Sequence, residues 1–331
     1  MALNRDQKIV LIGAETMIGY RLVQLLLEQG FSQIHLLRHN GPLLEGELLD
    51  LKKLTLKVNI HEIDIFDLFE LEPIFETADY IINCYGTSAG FKHSRDVLYK
   101  HNIIGVRTWI DLALTSDIKG FIHISTAASL GRKKDGSPCK ESDSWQKNEL
   151  HGNYNKSKFL GELEVARGQS EGLNTILIHP THVLGKGGIL QIYLNQLRKN
   201  TLKYPIGTGG YIGVKDVAAF TLKVLEAGLW GERFLLNAAN LSHKEVIDQI
   251  ATEWDLAKPT KKISTQDIRV IGWIMLLSKW LGILLKTPSK EWYHSLKANF
   301  SYDNTKSVET GLMQFTSIDS CIKEIHQQDL L

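Results

Sequence analysis

The chain of 331 residues reads as an α/β protein, a doubly wound parallel sheet with a smaller, mainly helical C-terminal lobe. Three observations carry that expectation. Apolar runs of strand length alternate with helix-length amphipathic segments through the first two-thirds. The first run empties into a glycine-bearing turn that opens a helix. After Pro180 glycines crowd together, and helical patterns dominate from Ser242 onward. Parallel strands need crossovers, and crossover helices cover both faces of the sheet. Right-handed crossovers then wind it in the dinucleotide-binding, or Rossmann, manner.

Candidate strands are Lys8–Ile12, Gln33–Leu37, Lys57–Glu62, Tyr80–Cys84, Gly120–Ser125 and Asn174–His179. Amphipathic stretches fall between them at Met17–Gln29, Phe66–Phe75, His93–Ser116 and Tyr154–Glu171. Gly185, Gly187, Gly188, Gly207, Gly209, Gly210 and Gly213 mark a region of loops and short strands. A helix at Val214–Ala227 and a strand at Arg233–Leu236 would return to the sheet. The expected division assigns residues 1–179, with 214–238 returning, to a dinucleotide-binding domain. Residues 180–213 and 239–331 form the substrate-binding lobe. The cleft would lie at the carboxyl ends of the strands, where open sheets bind ligands.

Apolar residues at 43%, charged residues at 23% and a net charge of +1 give no long-range pull on nucleic acid or acidic membranes. No basic run supplies one locally, so nucleic acid is not an expected partner. Cys84, Cys139 and Cys321 are odd in number, far apart and without CxxC spacing. That favours reduced thiols and a cytoplasmic setting over disulfides or zinc. The opening MALNRDQKIVLIG lacks the apolar core and cleavage site of a secretory signal. Val270–Leu285 is apolar, but Lys279 interrupts it and Arg269 and Lys286 flank it. It is also shorter than the ~20 residues of a membrane span. It reads as a buried or substrate-facing helix, with membrane-surface contact the alternative.

The first strand runs into Gly13-Ala14-Glu15-Thr16-Met17-Ile18-Gly19. Gly13 permits a tight turn, Gly19 permits close helix–strand packing, and the helix N-terminus offers backbone donors to a pyrophosphate. The middle glycine of the usual pattern is replaced by Thr16, whose hydroxyl would cap the helix or bond a phosphate oxygen. Glu15 is an awkward neighbour for an anion. At the end of the second strand, where an acidic residue ordinarily accepts bonds from the ribose 2′-hydroxyl, stands Arg38. Its guanidinium would pair with a 2′-phosphate, which favours NADP over NAD.

Tyr154-Asn155-Lys156-Ser157-Lys158 supplies the chemistry. Tyr154 and Lys158, four apart on a helix, share a face. An ammonium beside a phenol favours the phenolate and lowers a pKa that starts near ~10, so the oxygen can exchange a proton near neutral pH. Tyr211/Lys215, Tyr293/Lys297 and Tyr302/Lys306 have the same spacing. Only the first pair follows both a glycine turn and a strand ending in hydroxyl residues, Ser125-Thr126.

In order along the chain come GAETMIG at 13–19, Asp64-Ile65-x-Asp67, NCYG at 83–86, Asn102, FIHISTAASLG at 121–131, YNKSK at 154–158, HPTHVLG at 179–185 and VKDVA at 214–218. Together with a late YDNTKS at 302–307, this order resembles the extended short-chain dehydrogenase/reductase superfamily, in its NAD-dependent epimerase/dehydratase branch. The resemblance implies that Tyr154 is the acid/base, Lys158 its partner and ribose ligand, and Thr126 a hydrogen-bond donor to the substrate oxygen. Asn102 would orient a water in a proton relay. It further implies that Gly13, Thr16, Met17, Ile18 and Gly19 cradle the pyrophosphate, and that Asp64 and Ile65 contact adenine. Cys84, Tyr85 and Gly86 would line the riboses, and Pro180 would sit near the carboxamide. Plainer roles for Thr126 and Asn102 are a strand-end cap and a packing residue. His179 and His182 lack the neighbouring ligands a metal needs, so no metal is expected.

Within that superfamily HPTHVLG resembles dihydroflavonol-reductase-like and hydroxysteroid-dehydrogenase-like members. The apolar segment with Trp273 and Trp280 would suit a hydrophobic carbonyl or alcohol substrate. PIGTGGYIGVKDVA lacks the arginine that grips a sugar-nucleotide diphosphate, so a nucleotide-sugar epimerase or dehydratase is the alternative. A non-catalytic, dinucleotide-binding regulatory protein is the second alternative. The helices at His93–Ser116 and from Tyr154 onward are those that relatives pack into a homodimer.

Overall fold

The computed structural model describes residues 3–39, 58–86, 94–131, 136–143, 145, 152–264, 266–267 and 297–330. The apolar segment at 270–285, with Trp273 and Trp280, lies outside them. Among the described residues, no helix is long and apolar enough to cross a membrane.

The main sheet takes seven strands: β1 (Ile9–Ile12), β2 (Ile34–His39), β3 (Asn59–Ile63), β4 (Tyr80–Asn83), β5 (Gly120–Ile124), β6 (Thr175–Pro180) and β9 (Arg233–Leu236). Their order is β3-β2-β1-β4-β5-β6-β9, and every pairing is parallel. The order reverses between β1 and β4, which opens a crevice at their carboxyl ends. β1 is IVLI, buried along its whole length, as a central strand covered on both faces must be. Its alternate residues feed opposite cores. Ile9 and Leu11 join Leu22, Val23, Leu26, Val217 and Phe220, while Val10 and Ile12 join Phe75, Trp109 and Val165. Each large apolar side chain fully buried there contributes about 1.5–3 kcal/mol.

The first core lies under α1 (Met17–Glu28) and α7 (Val214–Ala227). The second lies under α2 (Leu68–Phe75), α4 (Gly105–Thr115) and α5 (Asn153–Ser170). The helix expected at His93–Ser116 is built in three parts. A short α3 (Arg95–Tyr99) and α4 flank a π-helical turn, Lys100–Ile104, that carries Asn102. Position 93 falls outside the described residues. The second strand runs on past Leu37, so Arg38 and His39 are ladder residues facing Glu62 and Ile63 on β3.

A second sheet has the order β10-β8-β7, from β7 (His182–Leu184), β8 (Thr208–Gly213) and β10 (Ala239–Ser242). Between β7 and β8 stands a helix that the glycine crowding conceals, α6 (Gly188–Arg198). Its Leu190, Tyr193, Leu194 and Leu197 recur at helical spacing and pack on α8 (His243–Glu253) and α10 (Ile318–Leu330), whereas α9 (Thr305–Glu309) sits beside β9. The glycines flank this helix instead of interrupting it.

α5 buries polar residues where most helices bury apolar ones: Ser157, Lys158 and Glu162 are all nearly inaccessible. Glu162 ties three elements together. One carboxylate oxygen accepts from the Ser125 hydroxyl, just beyond β5, and lies within reach of Ser129. The single Ser129 proton is shared between that oxygen and the Thr126 carbonyl at 2.6 Å. The other carboxylate oxygen accepts from His179 Nε2 on β6 at 3.1 Å and Arg233 on β9 at 3.3 Å. Burial alone would raise this carboxyl, but His179 and the two serines outweigh it and hold it at about 2. A carboxyl held down in the fold stabilises it fully above the unfolded value and loses that contribution as pH falls toward the folded one. Glu162→Gln is therefore expected to flatten the acid limb of the stability curve between pH 4.5 and about 2. At neutral pH, Glu162→Ala is expected to cost about 3–5 kcal/mol, because the buried Ser125, Ser129 and His179 lose their shared acceptor at once. Urea denaturation across pH checks both, and an unaltered acid limb in the Gln variant would remove Glu162 from this role.

Candidate active site

The turn between β1 and α1 is fixed by backbone contacts that leave no room for side chains. Gly13 has φ +81°, and a Cβ there would stand 2.6 Å from both Cα and N of Tyr85. A Cβ on Gly19 would stand 2.2 Å from the Gly13 carbonyl oxygen. Thr16 has φ −71°, an ordinary value, so nothing in the turn requires a glycine at the middle position. Its hydroxyl donates to the Gly13 carbonyl at 2.8 Å and accepts from the Gly19 N–H at 3.1 Å. The threonine is thus the helix cap, turned into the loop. Met17 and Ile18 form the first helical residues, and Met17 packs on Gly185.

At the end of β2, Arg38 pairs with Glu62 at 2.8 Å. Asp64 is half-exposed, 3.6 Å from the buried ring of His39. Ile65, expected at the adenine, turns its side chain inward. Its side chain is fully buried in the core beside Trp109, and the Trp109 ring N–H donates to its carbonyl at 2.7 Å. The chain turns it inward because β3 ends two residues earlier and its successor, Phe66, packs edge-on to His39 and His101. The Tyr85 hydroxyl meets His101 Nδ1 at 2.7 Å. Sequence reading missed this aromatic wall, since His101 and Phe66 belong to no motif.

Beyond β4, Cys84 and Gly86 continue toward the crevice. Burial pushes the Cys84 thiol up, Glu15 pushes the same way, and Lys158 opposes them. Gly86 marks the convergence of the expected residues. A Cβ there would stand 3.2 Å from Lys158 Nζ and 3.4 Å from Asn102 Oδ1. Asn102 donates to Ser157 Oγ at 2.8 Å, and the Ser157 hydroxyl donates to the Tyr154 carbonyl at 2.7 Å. The π-turn thereby docks on the first turn of α5. Thr126, half-buried after β5, caps a short 3₁₀ turn by accepting from the Ala128 N–H at 3.2 Å. Pro180 closes β6 and is buried.

The other Tyr-x-x-x-Lys pairs separate in the fold. Tyr211 is buried in β8 while Lys215 starts α7, and Tyr302 bridges to Cys139 in a loop while Lys306 lies in α9. Tyr293 lies outside the described residues. His179 is engaged by Glu162, and His182 meets the Gly210 carbonyl at 2.9 Å. A nicotinamide dinucleotide fits the residues present: the turn is walled by backbone, a helix N-terminus follows it, and a buried ammonium stands at the far side beside Gly86.

The chain is similar to known proteins in sequence and in fold. The chain is 25% identical over 327 residues, 95% of its length and 92% of the relative's, to a Synechocystis sp. protein bearing a provisional dihydroflavonol 4-reductase name. It is 24% identical over 312 residues, 88% of this chain and 92% of the relative, to cinnamoyl-CoA reductase 2 of Arabidopsis thaliana. Among solved structures, gox2253 superposes with TM-score 0.78 at 20% identity, covering 98% of this chain and 99% of the other. The UDP-glucose 4-epimerase of Thermotoga maritima does so with TM-score 0.73 at 18% identity, covering 98% and 100%. These structural likenesses establish the fold. The model of the NAD dependent epimerase/dehydratase family matches residues 9–236, and the chain belongs to that family, within the extended short-chain dehydrogenase/reductases.

Proposed function

We propose that this protein is an NAD(P)-dependent oxidoreductase that reduces a small, apolar carbonyl compound, or oxidises the corresponding alcohol. The observation that carries the reading is the convergence of Lys158 and Asn102 on Gly86, with Tyr154 one turn before the lysine. The bound dinucleotide would supply hydride transfer to and from the substrate carbon. Tyr154 would exchange the proton of the substrate oxygen at its phenol oxygen. The buried Lys158 ammonium would favour the phenolate and bond the nicotinamide ribose. Thr126 would donate to the substrate oxygen, and Asn102, held by Ser157, would keep a water in line behind Lys158.

Gly13, Met17, Ile18 and Gly19 would receive the pyrophosphate, with Thr16 acting as the cap. Asp64 and Tyr85 would flank the adenosine, Cys84 and Gly86 the riboses, and Pro180 the carboxamide. Two relatives named as reductases, matched over most of their length, support carbonyl chemistry over the nucleotide-sugar epimerase alternative. Arg38 supports NADP, with NAD the alternative. Because a phosphate must share Arg38 with Glu62, the preference we expect is narrow. Free cysteines support a cytoplasmic setting, and half-exposed Tyr99 and Leu163 on α3 and α5 support a homodimer through that face.

Fluorescence titration is expected to give tighter binding for NADPH than for NADH, by less than about tenfold, and equal binding would undo the Arg38 assignment. A screen of ketones, aldehydes and UDP-sugars, read at the reduced-nicotinamide absorbance, separates reductase from epimerase. On the compound so found, Tyr154→Phe is expected to lower kcat by about 100- to 10,000-fold while leaving dinucleotide affinity within about threefold. Unchanged turnover would end the acid/base assignment.

A further inference from the structure

The Glu15 carboxyl is only partly engaged in the turn it occupies, through a backbone hydrogen bond. Gly13 and Gly19 set the backbone and the Thr16 hydroxyl closes it, yet the Glu15 side chain is tucked in with only 5% of the residue exposed. Its Oε2 has no hydrogen-bond partner among the described residues. A buried acceptor left unsatisfied is destabilising, and more so when ionised, so such a group in a ligand crevice points to a missing donor.

Its surroundings define that donor. Glu15 follows β1, the strand between β2 and β4. Burial pushes its carboxyl up, while a backbone hydrogen bond and the charge of Arg38, on β2, oppose that. Its own charge is felt by Cys84, beyond β4. On the dinucleotide reading, on which this inference rests, the adenosine ribose lies against the end of β2. There an NAD enzyme ordinarily carries an acidic residue to accept the ribose hydroxyls. This chain carries Arg38 instead, and Glu62 already engages its guanidinium at 2.8 Å.

We propose that Glu15 is the ribose-binding carboxylate of this protein: its unpartnered oxygen accepts the 2′-hydroxyl of the adenosine ribose from the glycine turn, in place of the acid absent from the second strand. Cofactor choice then follows from two opposed residues. Arg38 attracts a 2′-phosphate. Glu15 accepts from an unmodified hydroxyl and repels a group bearing about −2 charge. The protein accepts both NAD and NADP, with NADP narrowly ahead, because Glu15 offsets much of the pull of Arg38 and Glu62 takes up part of the arginine's charge.

The test is fluorescence titration of the purified full chain with NADH, NADPH and 2′-deoxy-NADH, which lacks the hydroxyl on the adenosine ribose. The unaltered protein should bind 2′-deoxy-NADH about tenfold or more weakly than NADH. Glu15→Gln should shift the NADH-to-NADPH affinity ratio toward NADPH by about tenfold or more, and Arg38→Gln should shift it the opposite way. Equal affinity for NADH and its deoxy analogue would overturn the assignment, and so would a ratio unmoved in the Gln variant. The deoxy comparison needs no variant, so a Glu15→Gln protein that failed to fold would leave it decisive. If the unaltered protein bound none of the three, the dinucleotide reading itself would fall.

Discussion

The buried carboxylate of Glu162 is the fixed point on which the active crevice depends. A helix carrying Tyr154 and Lys158 has to be pressed against the strand ends, although the face it offers there is polar. Glu162 makes that possible, because each of its oxygens has partners and those partners come from the ends of β5, β6 and β9. The strength of a charge-assisted hydrogen bond in a dry interior offsets the penalty of burying the charge. One consequence is geometric: the Ser125–Ser129 turn, with Thr126 inside it, and the Lys158 helix share a single anchor.

On the other side of the crevice the constraint is steric. Gly13 touches the backbone of Tyr85, so the glycine turn and the segment after β4 are held in backbone contact. Thr16 fits because its φ is ordinary and its hydroxyl serves the helix cap. The substitution that looks damaging in the sequence is therefore accommodated locally. Glu15 is the more consequential departure, since it places a carboxyl beside the glycine turn, where burial raises it and the charge of Arg38 opposes that.

Most of the sheet and the helices over it were legible because burial on both faces leaves continuous apolar strands, and because helices there keep an apolar stripe. Val214–Ala227 and Arg233–Leu236 occur with the expected bounds. α6 was not legible, since the glycines on either side of it mask an amphipathic run of eleven residues. The π-turn at Asn102 was hidden too: it docks on α5 through the Asn102–Ser157 bond, a contact that residue spacing does not reveal. Arg38 was recognisable as a cation at the right strand end, but its partner on β3 depends on a register that only the paired strands reveal.

By itself the sequence determined the alternation that builds a parallel sheet, the turn at Gly13–Gly19, and the identity of Tyr154 and Lys158 as neighbours on one helix. These are local properties, written in residue spacing. Tertiary structure alone decided that Lys158 and Asn102 meet at Gly86, that Ile65 faces the core, and that Glu162 and Glu15 are buried acids, one satisfied and one open. Such facts depend on which distant segments come into contact, and a charge acquires its chemical meaning only from the groups packed around it.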